Sequence, residues 1–130
     1  MSRKKSIGVR GAAMRHGDVA AYCPDAGDII WLDFLLPVAN EQAGRRPALV
    51  LSPRRFNELT GRCIACPITR HDRDWNFHVP IPEGHEISGV VQADQLRSAS
   101  WEQRGSRFIC KTPAGVLNEV QARLKPLLSL

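Results

Sequence analysis

Apolar and polar residues follow one another in short runs along most of this chain, and helical spacing appears only near its C-terminal end. Asp28–Leu36 alternates, with Ile30, Leu32 and Phe34 on one face of an extended segment and Ile29, Trp31 and Asp33 on the other. Ala48–Leu51 is an apolar run too short for a helix and is stopped by Ser52-Pro53, so it reads as a buried strand. Ser52 as N-cap, Pro53 at the first helical position and Gly61 as the stop predict one or two helical turns over Pro53–Leu59. Cys63–Thr69 is a third strand whose last residue emerges where polar sequence resumes. Phe77–Ile81 and Gly89–Gln95 are two more, joined by Pro82–Ser88. Trp101–Arg104 reads as a helical turn and Phe108–Lys111 as a last short strand.

Val116, Leu117, Val120, Leu124, Leu127 and Leu128 then recur at helical spacing and form one apolar stripe. Thr112 is the expected cap and Pro113 the first helical residue. Glu119 early and Arg123 and Lys125 late match the helix dipole. Pro126 lacks an N–H and is expected to kink the last turn. Several short antiparallel strands followed by a terminal helix predict a mainly β domain, a small, strongly bent sheet or open barrel. Residues 1–26 show no periodicity and are expected to be a flexible basic leader, with a single domain over 27–130.

Composition narrows the class. An apolar fraction of 43% with 24% charged residues is that of an ordinary globular protein. No apolar run approaches the roughly 18 residues needed to span a membrane. The basic start, Met1-Ser2-Arg3-Lys4-Lys5, is not followed by an apolar signal segment, so a cytoplasmic location is expected. Residues 1–27 hold five Lys/Arg against two Asp, and residues 28–130 hold thirteen against eleven acids. A body this mildly basic permits a nucleic-acid partner only if its positive charges cluster. They do: Arg45, Arg46, Arg54, Arg55, Arg62, Arg70 and Arg73 lie within 29 residues.

The four cysteines are Cys23, Cys63, Cys66 and Cys110. Cys63 and Cys66 have the spacing of a metal knuckle or redox pair, but Cys110, His71, His78 and His85 supply no second pair. Residues three apart on a strand point to opposite faces, which argues against one ion receiving both thiolates. They are expected to be small buried hydrophobes, with no metal and no cofactor.

The most informative segment is Glu41–Pro53. A polar, glycine-containing loop, Pro37–Arg45, carries Glu41, Arg45 and Arg46 to the mouth of the second strand. Guanidinium groups grip phosphate with two parallel hydrogen bonds and keep their charge at all pH values of interest. The alternative reading is a solvated hairpin loop with an ion pair across it. Arg46, if its strand sits near the third, shares a cleft with Thr69. An RNA phosphodiester can be cut by its own 2′-hydroxyl if one group takes the proton and others stabilise the developing charge. Glu41, Arg46 and Thr69 suit those parts. Trp75, between Asp74 and Asn76 in the charged loop Arg70–Asn76, suits base stacking, whereas Trp31 belongs to an apolar strand and is expected in the core or a dimer interface. His71 and His78 read as solvated loop histidines, with an acid–base pair as the alternative.

Gly27-Asp28-Ile29-Ile30-Trp31-Leu32-Asp33-Phe34, the segment Glu41–Ser52, Cys66-Pro67-Ile68-Thr69 and the segment Gly89–Ser98 closely resemble the MazF/PemK/Kid toxins of bacterial toxin–antitoxin systems. The resemblance runs from about Gly27 to Leu128. It implies an SH3-like bent antiparallel sheet and a homodimer. The activity implied is that of a metal-independent, sequence-specific endoribonuclease cutting single-stranded RNA by 2′-hydroxyl attack, leaving a 2′,3′-cyclic phosphate. An acidic antitoxin tail is implied in the RNA groove. Arg46 and Thr69 match the family's catalytic arginine and threonine, and Glu41 its acidic loop residue. The expected RNA-contacting set is Gln42, Arg45, Arg70, Arg73, Trp75 and Gln95, with Asp94 read as a structural strand end. Arg45 stands where some members have histidine. Two other readings share this fold: a gyrase-poisoning toxin, which works through a Trp-Gly-Ile-type C-terminus that this chain (ending Pro126-Leu127-Leu128-Ser129-Leu130) does not have, and a catalytically silent RNA- or antitoxin-binding homologue.

Overall fold

The structure, a computed structural model, describes residues 22–34, 44–103 and 105–130. Its elements are β1 (Asp28–Phe34), β2 (Gly44–Val50), α1 (Arg54–Thr60), β3 (Arg62–Thr69), β4 (His78–Pro80), β5 (Val90–Gln92), β6 (Arg97–Ser100), β7 (Arg107–Lys111) and α2 (Val116–Leu127). The strands form one antiparallel sheet in the order β4-β5-β3-β2-β1-β7, and β6 also pairs with β3. The sheet is open rather than closed, since β4 and β7 are not paired with each other. This is the expected mainly β architecture with its C-terminal helix. No helix among the described residues is long and apolar enough to cross a membrane.

Strand β3 has a different neighbour on each part of its outer edge. Arg62–Ala65 pair with β6, and Ile68 and Thr69 pair with β5. On the inner edge Ala48, Leu49 and Val50 of β2 face Pro67, Cys66 and Ala65. Leu51 N–H donates to the Ile64 carbonyl at 2.8 Å, so even-numbered β3 residues bond toward β2 and odd-numbered ones toward the outer edge. Pro67, which has no N–H to donate, therefore falls at the gap between β6 and β5, where no ladder bond is forfeited.

Two apolar clusters lie on the two faces of the sheet. Ile29, Leu49, Cys66, Ile68, Val91 and their neighbours meet Val116, Val120 and Leu124 of α2. Ile30, Leu32, Phe34, Ala48, Val50, Cys63, Ala65 and Ala99 form the other, closed by Tyr22 and Trp101. The β1 alternation is as expected, and Cys63 and Cys66 go to opposite clusters as strand geometry requires. Each fully buried aliphatic residue contributes about 1.5–3 kcal/mol. Three such residues on one stripe suffice to dock α2.

Several local expectations are corrected. Ser52 does not cap α1: its hydroxyl donates to Asn57 Oδ1 at 2.6 Å and accepts from Ile64 N–H at 2.8 Å, joining the helix to β3 instead. Asn57, fully buried, also donates to the carbonyls of Pro24 and Ser52. Gly61 ends α1 in the left-handed conformation as predicted. Thr112 does not cap α2; the helix begins four residues later, behind Gly115, and the Thr112 N–H instead ties the chain to the Gly27 carbonyl at 2.8 Å. Leu127 and Leu128, expected on the buried stripe, are exposed, although α2 continues through Pro126 to Leu127. Strand β6 was not anticipated, because Arg-Ser-Ala-Ser has no apolar alternation to announce it. Arg104 and Leu35–Leu36 lie outside the described residues.

Residues 22–26 pack against the domain. The buried carboxylate of Asp28 accepts from Tyr22 Oη at 2.5 Å, Asp25 N–H at 3.0 Å and Lys111 Nζ at 2.6 Å. Burial, and next the Asp28 hydrogen bond, push the Tyr22 phenol well above its ordinary value. Residues 1–21 lie outside the described residues.

Two outcomes follow from this packing. Gly89 has φ of +122°, and a Cβ there would meet the Thr69 carbonyl oxygen at 2.2 Å. Gly89→Ala is expected to cost at least about 2 kcal/mol in urea unfolding, combining backbone strain with a clash against backbone. Burial pushes the Cys63 thiol up to about 11 and the Cys66 thiol up to about 12. The thiolate is the reactive form, so iodoacetamide at neutral pH should modify neither in the native protein and both after denaturation. Rapid native labelling of either, read by mass spectrometry, would contradict the packing described.

Candidate functional site

The ends of β2 and β3 open into a cleft of about 940 Å³. Strand β2 begins earlier than the sequence suggests, at Gly44, so Arg45, expected at the end of the preceding loop, belongs to the strand together with Arg46. Arg45 stands opposite Asp33 and Arg46 opposite Leu32 in the β1–β2 register. Pro47 and Pro67, each with its φ fixed by its ring, also line the cleft from these adjacent strands.

The β2–β3 register explains why Arg46 and Thr69 meet. The last paired residues are Ala48 and Pro67. One alternate step further along each strand lies Arg46 on one side and Thr69 on the other, on the same sheet face. Both line the cleft. Thr69 is buried, and its Oγ1 accepts the His71 N–H at 3.1 Å. A hydroxyl has one proton and two lone pairs, so accepting from the backbone leaves the Thr69 proton available to a bound oxygen. Thr69 pairs with Val90 of β5, and the preceding Gly89 leaves no room for a side chain beside the Thr69 carbonyl.

The loop after β3 brings Arg70, His71, Arg73 and Trp75 to the same cleft. It is held at three points. Asp74 N–H donates to Asp72 Oδ1 at 2.9 Å, turning the chain through Asp74 with φ of +55°. His78, buried at the start of β4, places Nδ1 3.3 Å from Asp72 Oδ1 and 3.5 Å from Arg73 N. Arg123 of α2 donates through Nε to the Asn76 carbonyl at 2.8 Å. The two histidines thus differ from the solvated pair expected: His78 is a buried anchor and only His71 is exposed.

Trp75 is half-exposed, and its indole N–H donates to Asp94 Oδ2 at 2.8 Å while its ring packs on Phe77 with centroids 5.4 Å apart. Asp94 and Gln95 sit on a 3₁₀ turn, Ala93–Gln95, where a strand had been expected to continue. The structural reading of Asp94 is thereby given content: it orients the indole. Gln95 is exposed and lines the cleft.

Trp31 also lines the cleft, half-buried, rather than lying wholly in the core. Arg97, missed in the sequence, contributes from β6; its guanidinium lies 5.5 Å from the Phe34 ring centroid, and its buried Nε has no hydrogen-bond partner among the described residues. The only signal for it was its position after the Ala93–Gln95 turn. Arg45, Arg46, Arg70, Arg73 and Arg97 therefore face one cavity, against the carboxylates of Glu86 and Asp94. Such a cleft attracts polyanions. Glu41 and Gln42 lie outside the described residues. Among the described residues no three His, Cys, Asp or Glu side chains converge as metal ligands would.

Comparison with known proteins agrees with this geometry. The profile of the PemK-like, MazF-like toxins of type II toxin–antitoxin systems matches residues 25–128. The Endoribonuclease toxin MazF of Escherichia coli (strain K12) is 46% identical over 88 residues, covering 68% of this chain and 78% of the relative. The crystal structure of MazF from Deinococcus radiodurans superposes with a TM-score of 0.79 at 44% identity, covering 85% of this chain and 100% of that one. A MazE–MazF crystal structure from the same organism gives 0.77 at 44% identity, covering 85% and 99%. With the matching profile extending over nearly all of the described domain, the chain belongs to the PemK-like, MazF-like toxin family.

Proposed function

We propose that this protein is an endoribonuclease toxin that cuts single-stranded RNA at a preferred sequence, without a metal, by attack of the 2′-hydroxyl on the adjacent phosphorus. The observation that carries this reading is the convergence of Arg46 and Thr69 from adjacent strands on one arginine-lined cleft. The curated relative is named an endoribonuclease, which supports the same reaction here.

Arg46 would hold the scissile phosphate and stabilise the charge gathering on its oxygens. It is a poor proton carrier at its ordinary pKa and is assigned no acid–base step. Thr69, its lone pair occupied by His71 N–H, donates its hydroxyl proton to a phosphate oxygen. Glu41 is assigned the carboxylate role, positioning or accepting the 2′-hydroxyl proton, on sequence alone. Arg45, Arg70 and Arg73 would hold flanking phosphates. Gln42 and Gln95 would read base edges, and Trp75 would stack on a base.

The same positive cleft suits an acidic polypeptide, and a solved relative is a MazE–MazF complex. We therefore assign a cognate antitoxin as protein partner, competing with RNA for the cleft. A homodimer and a cytoplasmic location complete the reading, with the catalytic domain over 27–130 and with residues 22–26 of the preceding segment packed against it.

Removing one preorganised stabiliser of transition-state charge costs about 10²–10³ in rate. Arg46→Ala should lower kcat by that factor on a long single-stranded RNA, while the wild-type protein gives discrete fragments with 2′,3′-cyclic phosphate ends in EDTA. Intact RNA from the folded wild-type protein would favour a silent binder, and DNA breaks would favour the gyrase reading. Stacking contributes about 1–3 kcal/mol per base, so Trp75→Ala should raise the Kd of an uncleavable 2′-deoxy oligonucleotide by roughly 5- to 150-fold. Asp94→Ala, which frees the indole but also removes a negative charge from the cleft, should weaken binding less. Equal affinity of Trp75→Ala and wild type would remove Trp75 from the interface.

A further inference from the structure

Two protons must move when a 2′-hydroxyl displaces a 5′-oxygen from phosphorus. One leaves the 2′-oxygen as the O2′–P bond forms, and one must reach the 5′-oxygen as the P–O5′ bond breaks. With Glu41 assigned the first, the second needs a group that ordinarily both holds and releases a proton near neutral pH. Guanidinium groups and a threonine hydroxyl do not, whereas imidazole does. Two imidazoles line the cleft, those of His71 and His78.

They are not equivalent. The His78 ring is buried, with Nδ1 between Asp72 Oδ1 and Arg73 N–H, and holds the loop. The His71 ring is exposed and enters no hydrogen bond among the described residues, while its backbone N–H is bound to Thr69 Oγ1. Two residues span at most about 7 Å of backbone, so the His71 ring lies within side-chain reach of a phosphate bound at Thr69. We infer that His71 is the general acid of the cleavage, its protonated ring delivering the proton to the departing 5′-oxygen. The ring is left neutral and is reprotonated from solvent once the products leave. This assignment rests on the ribonuclease reading above.

The charged groups sharing the cleft are Arg45 and Arg46 from β2, Arg70 and Arg73 from the same loop, Glu86 ahead of β5, Asp94 on the 3₁₀ turn, and Arg97 from β6. None is a second exposed imidazole. A general acid must be protonated to act, so its contribution is full at low pH and lost as pH rises through its titration.

The test compares wild type and His71→Gln on a single-stranded RNA containing the cleavage site, with kcat and KM measured across pH. A second substrate carries sulfur in place of the bridging 5′-oxygen, because a thiolate departs without a proton. His71→Gln is expected to lower kcat about 100-fold on the oxygen substrate with KM within about threefold, and to abolish the alkaline limb of the wild-type profile. On the sulfur substrate the variant should recover to within about threefold of wild type, and the wild-type limb itself should vanish. Retention of the oxygen-substrate rate by His71→Gln, or an alkaline limb that persists for wild type on the sulfur substrate, would overturn the assignment while leaving the nuclease intact. Failure of wild type to cut either substrate would overturn the ribonuclease reading, and this assignment with it.

Discussion

The outer edge of β3 is the constraint on which the cleft depends. One edge of a strand cannot pair with two neighbours at the same residues, so β6 takes Arg62–Ala65 and β5 takes Ile68 and Thr69. The chain between β5 and β6 must then step across the break, and it does so through the Ala93–Gln95 turn. That step delivers Asp94 and Gln95 to the cleft and sets Arg97 at the head of β6. Pro67 is compatible with a central strand only because the break spares it a donor role. The residue that looks least suited to β3 thus marks where its pairing changes, two residues before Thr69.

Burial and exposure are divided along this arrangement. Thr69 and His78 are polar yet buried, and each is bonded locally, Thr69 to the His71 backbone and His78 to the Asp72–Arg73 turn. Buried polar groups carry a large penalty when unpaired, so these contacts define the loop's position rather than merely decorate it. Arg123 adds a tie from α2, and α2 in turn is docked by Val116, Val120 and Leu124. The loop that carries Arg70, His71, Arg73 and Trp75 is therefore coupled to the main apolar cluster through the Arg123 guanidinium and through Trp75 packed on Phe77.

Much of this was legible in the residues. Alternation fixed the faces of β1, an apolar run bounded by Gly61 and Thr69 marked β3, and the Arg46–Thr69 pairing followed once the two strands were adjacent. Capping failed at two places for different reasons: the Ser52 hydroxyl is taken by Ile64 and Asn57, whereas α2 starts behind Gly115, too far along the chain for the Thr112 hydroxyl to cap it. Strand β6 and Arg97 were invisible because a short edge-paired strand with serines at alternate positions carries no hydrophobic period. His78 was misread because periodicity says nothing about a polar side chain turned inward to hold a loop. Arg45 was assigned to a loop since arginines beside a glycine look solvated, whereas the pairing of Arg45 with Asp33 and of Gly44 with Phe34 extends β2 to include it.

The placement of Arg45 bears on how the chemistry is distributed. Its guanidinium lies against Gly105, with Nη1 3.2 Å from where a Cβ on that glycine would be, so it leans toward the β6–β7 turn. An arginine there supplies charge and no proton. Where some members of the family have histidine at this place, this chain keeps its imidazoles on the other side of the cleft, after β3. A bound phosphate presents oxygens toward both strands, so a proton carrier next to Thr69 meets the same reacting group as one next to Arg46. On this view β2 provides only fixed positive charge, and the loop after β3 provides both the hydroxyl donor's anchor and the proposed proton donor, His71. The rigid strand then governs binding of the phosphate, while proton delivery follows the position of a loop held by His78, Asp72 and Arg123.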